Sequence, residues 1–121
     1  MSKILVVDDE KHIRLLYAEE LEEEGYDVAT ASDGIGILER IEKEEPDVVI
    51  LDIKMVSSNG LDVLQEFRNK YYNLPVILCS AYGSYKVDIK SIAADAYVVK
   101  SSDLTELKKK IAQVLETTVP A

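Results

Sequence analysis

Five short runs rich in valine and isoleucine, alternating with longer stretches of helical periodicity, constrain this 121-residue chain more than any other feature. The runs are Ile4–Val7, Val28–Ala31, Val48–Leu51, Val76–Leu78 and Ala96–Val99. They show little polar alternation, which is how strands read when both faces are covered. Between them, Ile13, Leu16, Tyr17 and Leu21 recur at helical spacing ahead of Gly25. Ile37, Leu38 and Ile41 mark a second helix, with Pro46 just beyond its end, and Leu61, Leu64 and Phe67 mark a third. A fourth, around Tyr85–Ile92, is short and poorly patterned. The last carries Leu104, Leu107, Ile111, Val114 and Leu115, with Asp103 as its N-cap and Glu106 three residues on. Five such units imply an α/β fold: a doubly wound, five-stranded parallel sheet with helices on both faces.

The length suits one domain, 1–121, with 117–121 as a frayed tail. Fourteen basic against 23 acidic residues give a formal net charge of −9. Direct nucleic-acid binding needs a basic patch to neutralise phosphates, so this balance argues against it. The single cysteine, Cys79, has no internal partner and excludes a Cys-rich metal site. The first apolar run is too short for a signal peptide, and no stretch approaches the ~20 apolar residues that span a bilayer. The expectation is a soluble, cytoplasmic protein with no membrane partner.

In doubly wound sheets the functional crevice lies beyond the carboxyl ends of the strands. The first strand runs into Asp8, Asp9 and Glu10, the third into Asp52, the fourth into Ser80 and the fifth into Lys100. Singly, each reads as a cap, a turn residue or a solvated charge. Together they place several carboxylates, a hydroxyl and an ammonium in one crevice. Two carboxylates ~5 Å apart at an effective dielectric of ~20 repel by about 3 kcal/mol. A raised pKa or a bound cation relieves that repulsion. An all-oxygen cluster of few ligands suits Mg²⁺, and one carboxylate facing the metal can attack a phosphoryl group. The ammonium and the hydroxyl then stabilise charge on the transferring oxygens.

At these same positions the sequence resembles the receiver domain of two-component response regulators, CheY-like proteins, over essentially its whole length. The resemblance rests on Ile4-Leu5-Val6-Val7-Asp8-Asp9-Glu10 and on Val49-Ile50-Leu51-Asp52-Ile53-Lys54-Met55 with Gly60 and Leu61 following. Pro75-Val76-Ile77-Leu78-Cys79-Ser80-Ala81 and Ala94-Asp95-Ala96-Tyr97-Val98-Val99-Lys100 complete it. It implies a flavodoxin-like strand order 2-1-3-4-5. It implies that Asp52 takes a phosphoryl group from a sensor histidine kinase, with Mg²⁺ held by Asp9, Asp52 and the Lys54 carbonyl, and Asp8 acting through water. Lys100 would pair with the phosphoryl oxygens, Ser80 would swing to meet one of them, and Tyr97 would turn inward behind it. Lys54 and Tyr82 would flank the phosphoryl group and slow its hydrolysis. The output would be an altered protein surface, read by a downstream protein or output domain or by a phosphorylation-dependent dimer. Self-phosphorylation and self-dephosphorylation would be its only chemistry.

The sequence departs from the family's pattern at four places. Ser101 follows Lys100 where a cis-proline is usual, and a cis bond before another residue costs about 2.5–4 kcal/mol. The bond is therefore either strained, or trans with Lys100 approaching differently. Val56 replaces a common proline, and Ala93 replaces a common glycine. Ser80 and Tyr97 are 17 positions apart, about two fewer than in the family, which shortens the fourth helix. These departures keep open an alternative, a constitutive binding module that takes no phosphate. A phosphohydrolase using Asp52 fits less well, because Lys54 stands where haloacid-dehalogenase-type enzymes carry a second aspartate. His12, Glu22-Glu23-Glu24 and Lys108-Lys109-Lys110 read as solvated surface, and Cys79 as buried filler.

Overall fold

The computed structural model describes residues 2–53, 59–80, 94–101 and 103–117. Within them β1 (Lys3–Val7), β2 (Asp27–Ala31), β3 (Val48–Asp52), β4 (Val76–Ser80) and β5 (Ala96–Val99) form one parallel sheet in the order β2-β1-β3-β4-β5. The chain steps outward from β1 to β2, then back across β1 to β3. With right-handed crossovers, that reversal puts helices on both faces.

Side-chain alternation along the strands sorts the core into two halves. Ile4, Val6, Val48, Ile50, Ile77, Cys79 and Val98 face one way. They meet Tyr17 and Leu21 of α1 (Lys11–Glu23) and Leu107, Ile111 and Val114 of α4 (Thr105–Thr117). Leu5, Val7, Val49, Leu51, Val76 and Leu78 face the other way. They meet Ile37 and Ile41 of α2 (Ile37–Glu44) and Val63 and Leu64 of α3 (Gly60–Arg68). Each such side chain, fully buried, contributes roughly 1.5–3 kcal/mol. A register slip of one residue would exchange the two halves, so the register is firmly set.

The apolar runs locate all five strands, each within two residues of its observed end. The expectation that every strand is covered on both faces holds for β3 and β4 and for the apolar part of β1. It does not hold for β2, whose residues are half-buried or exposed, nor fully for β5, because these two are the sheet's edges. Gly25 stops α1 in the left-handed region at φ 95°, its N–H donating to the Glu22 carbonyl, as a C-terminal glycine does. The helix expected around Tyr85–Ile92 lies outside the described residues, as do Ala93, Val56, Lys54, Tyr82 and the tail beyond Thr117.

Candidate functional site

Parallel register carries the sequence's polar residues to one edge. Val7 pairs with Leu51, Asp52 with Cys79, and Ser80 with Val99. The residues that follow or close these strands therefore emerge side by side. Asp8, Asp52 and Lys100 continue the alternation of Val6, Ile50 and Val98 and so share a side, whereas Ser80 continues that of Val76 and Leu78.

Backbone contacts fix each one. Asp8 donates its N–H to the Ala31 carbonyl at 3.0 Å, prolonging the β1–β2 ladder by one step. Its Oδ1 accepts the Glu10 N–H at 2.9 Å, and its carbonyl accepts Nη1 of Arg14 at 2.7 Å. Beyond Asp52, Ile53 donates to the Cys79 carbonyl at 3.0 Å and accepts from the Gly60 N–H at 2.7 Å. A Cβ on Gly60 would fall 2.2 Å from the Asp52 carbonyl oxygen, so the start of α3 can press on this strand end only as glycine. Lys100 donates its N–H to the Ser80 carbonyl at 2.7 Å, continuing the pairing of β5 with β4.

The Lys100 ammonium joins the three strands electrostatically. It lies 2.8 Å from Asp8 Oδ2 and 3.2 Å from Asp52 Oδ2. Both aspartates are buried, at 2% and 3% exposure. Burial, then the neighbouring Asp8 carboxylate, push the Asp52 carboxyl up to about 6, although Lys100 pulls the other way. Burial alone would lower Lys100, but the carboxylates of Asp8 and Asp52 outweigh it and the ammonium is held more firmly than usual. Among the described residues the crevice thus sets one held ammonium against three carboxylates.

Asp8, Asp9 and Asp52 each offer an oxygen within 4.8 Å of the others. Apart from its ion pair, Asp52 Oδ2 is buried with no hydrogen-bond partner among the described residues. Hard anionic oxygens, one of them met only by the Lys100 ammonium among the described residues, and an excess of negative charge fit a small divalent cation such as Mg²⁺.

The structure thus gathers Asp8, Asp9, Asp52 and Lys100, with buried Ser80 at the neighbouring strand end. Tyr97 is half-buried and packs against the α2–α3 half of the core. Glu10 is not part of the group: its carboxylate turns to His12 Nε2 at 3.3 Å on the exposed surface. Cys79 is buried and its thiol is pushed up to about 12 by burial. Lys108 is not merely solvated, since it reaches Glu20 of α1 at 3.0 Å. The described peptide bonds include none that is cis. Lys100–Ser101 is therefore trans, and Lys100 reaches both carboxylates from that geometry. Arg14 escaped the sequence reading, because an arginine inside an amphipathic helix carries no sign that it reaches back to the preceding turn.

Comparison with known proteins agrees with this geometry. A family model described as the response regulator receiver domain matches residues 4–112. A probable transcriptional regulator, ycf27, of Guillardia theta is 42% identical over 119 residues, covering 97% of this chain and 46% of its own. The chain thus spans about half the length of that curated relative. Response regulator protein TrrA from Thermotoga maritima, in a crystal structure with Mg(2+)-BeF, is 47% identical with a TM-score of 0.88, covering 94% of this chain and 99% of that one. TrrA in complex with histidine kinase ThkA aligns at 48% identity and a TM-score of 0.86, covering 95% and 99%. Five parallel strands in the order 2-1-3-4-5, an acidic cluster crossed by one lysine and a family match over most of its length together make the conclusion plain: this chain belongs to the response regulator receiver domain family.

Proposed function

We propose that Asp52 is the phosphoacceptor of this receiver domain, in a Mg²⁺-dependent transfer from the phosphohistidine of a sensor histidine kinase. The observation that carries the reading is the buried Asp52 carboxylate, paired with Lys100 and bordered by Asp8 and Asp9. A carboxylate oxygen of Asp52 attacks phosphorus, a P–O bond forms, and the P–N bond breaks with the electron pair leaving on the imidazole. Asp9 and Asp52, with the backbone carbonyl of Lys54 and with Asp8 through water, would hold Mg²⁺. When bound, Mg²⁺ neutralises the carboxylates and draws charge from the phosphoryl oxygens.

Lys100 shifts from its carboxylate partners toward a phosphoryl oxygen, a charge-assisted contact present only after transfer. Ser80 donates to another oxygen, and Tyr97 moves inward behind it. Lys54 and Tyr82 limit access of the hydrolytic water. The domain, residues 1–121, works as a signalling module in the cytoplasm with no turnover of other substrates. Its output is a changed protein surface read by a downstream protein, an output domain or a second copy, without direct contact to nucleic acid. Intact mass after incubation with Mg²⁺ and acetyl phosphate tests the reading. One phosphoryl group should be gained, and it should be lost with chelator and in Asp52→Asn. A parent chain that gains none from acetyl phosphate or from a phosphorylated kinase would refute it and leave a constitutive binding module.

A further inference from the structure

Lys100 neutralises a newly arrived phosphoryl group best when its backbone is held in place. Upstream, β5 and the Lys100 N–H bond to Ser80 hold it. Downstream, the chain leaves the sheet toward α4, where a ladder of side chains takes over. Ser101 Oγ accepts the Asp103 N–H at 3.1 Å. Asp103 Oδ1 accepts the Thr105 N–H at 3.0 Å and its hydroxyl at 2.6 Å. Leu104, between the last two, is buried in the same half of the core as Val98 and Cys79.

The lower rungs are ordinary helix capping. The first rung is not, because it ties the cap to the residue directly after Lys100. None of the three side chains is recorded in contact with Asp52 or the Lys100 ammonium, and all three residues are exposed. We propose that Ser101, Asp103 and Thr105 are positioning residues for phosphoryl transfer, a hydrogen-bonded brace that anchors the Lys100 backbone to the first turn of α4. The inference rests on the phosphoacceptor reading of Asp52. It also makes α4 sensitive to the state of the site, since a shift of Lys100 pulls on the same ladder.

The test compares the parent with Ser101→Ala, Ser101→Thr and Asp103→Ala, all in the full chain. Three quantities are read: the rate of phosphorylation by acetyl phosphate at saturating Mg²⁺, the affinity for beryllofluoride as a phosphoryl mimic, and the affinity for Mg²⁺ alone. Lys100 meets the phosphoryl group, and toward the metal it only competes for the carboxylates of Asp8 and Asp52, so loosening its backbone does not weaken Mg²⁺ binding. Ser101→Ala and Asp103→Ala should therefore slow transfer and weaken beryllofluoride binding about 3- to 10-fold, with Mg²⁺ affinity within about twofold of the parent. Ser101→Thr keeps the hydroxyl and should restore both. Labelled parent and equally labelled Ser101→Ala, or a Mg²⁺ affinity that falls in step with the rate, would overturn this inference alone. A parent that takes no phosphoryl group would overturn the phosphoacceptor reading and the inference with it.

Discussion

Replacing Asp52 by asparagine should make the metal-free protein more stable at neutral pH, although it removes the residue on which the proposed function turns. The Asp52 carboxyl titrates at about 6 in the fold, against its ordinary value of 3.8, because it is buried beside Asp8. Between those two values the native state keeps a proton that the unfolded chain has released. Stability must then fall as pH rises through this window. One pH unit of difference is worth about 1.4 kcal/mol, so by pH 7.5 the ionised carboxylate has cost the fold about 3 kcal/mol. Asparagine has nearly the shape of the neutral acid and carries no charge, so it recovers most of that amount.

The assay is urea unfolding of parent and Asp52→Asn in chelator, at pH 7.5 and at pH 5. The variant should lead by about 3 kcal/mol at pH 7.5 and by about half that at pH 5, where less of the difference has developed. Mg²⁺ at 100 times its dissociation constant should add about 2.7 kcal/mol to the parent and far less to the variant, nearly closing the gap. A variant no more stable than the parent in chelator at pH 7.5 would refute the reasoning, since the ion pair with Lys100 would then outweigh burial and Asp8. A lead unchanged between pH 5 and 7.5 would refute the assignment of the effect to Asp52 ionisation.

Other perturbations probe the remaining contacts. Lys100→Met removes the charge that pulls Asp52 down, so the Asp52 carboxyl should move above 6, followed by carbon NMR of the side chain across a pH titration. Gly60→Ala should lower the unfolding free energy by about 1–3 kcal/mol or more and weaken Mg²⁺ binding, because its methyl group would meet the Asp52 backbone. Arg68 donates to the carbonyls of Tyr71, Tyr72 and Leu74 and to Asp95 Oδ2, which also accepts the Val76 N–H. Arg68→Ala should cost about 2–4 kcal/mol in urea unfolding and speed hydrogen exchange at the Val76 amide.

Much of this architecture is legible in one sequence because it follows from local pattern. Val48–Leu51 and Val76–Leu78 announce buried strands without reference to anything distant, and the position of Asp52 at a strand end follows at once. Family resemblance supplied the strand order, which hydrophobicity alone does not encode: the runs of β2 and β3 read alike, yet one is an edge and the other central. Contacts between residues far apart in sequence left no local trace. Arg68 and Asp95 are 27 positions apart, and each alone reads as surface charge. Ser101 reads as a missing proline, whereas in the fold its hydroxyl accepts a hydrogen bond that proline has no side-chain group to accept.

The charge arrangement at the strand ends also explains how such a small domain can be a switch. Lys100 is the one cation ion-paired with the carboxylates of Asp8 and Asp52 among the described residues, and it is shared between them. Asp52 carries much of the cost of that imbalance, since burial and then the Asp8 carboxylate raise its carboxyl despite Lys100. Any ligand that supplies positive charge, or that draws the lysine to a new anion, changes the balance by several kcal/mol, comparable with a small domain's whole stability. If the Ser101–Asp103–Thr105 ladder braces Lys100 as proposed, that change would reach the first turn of α4. On the phosphoacceptor reading, the free energy that makes the metal-free site costly is what phosphorylation would draw on. A chain with a fully balanced site would be more stable and would have nothing to switch.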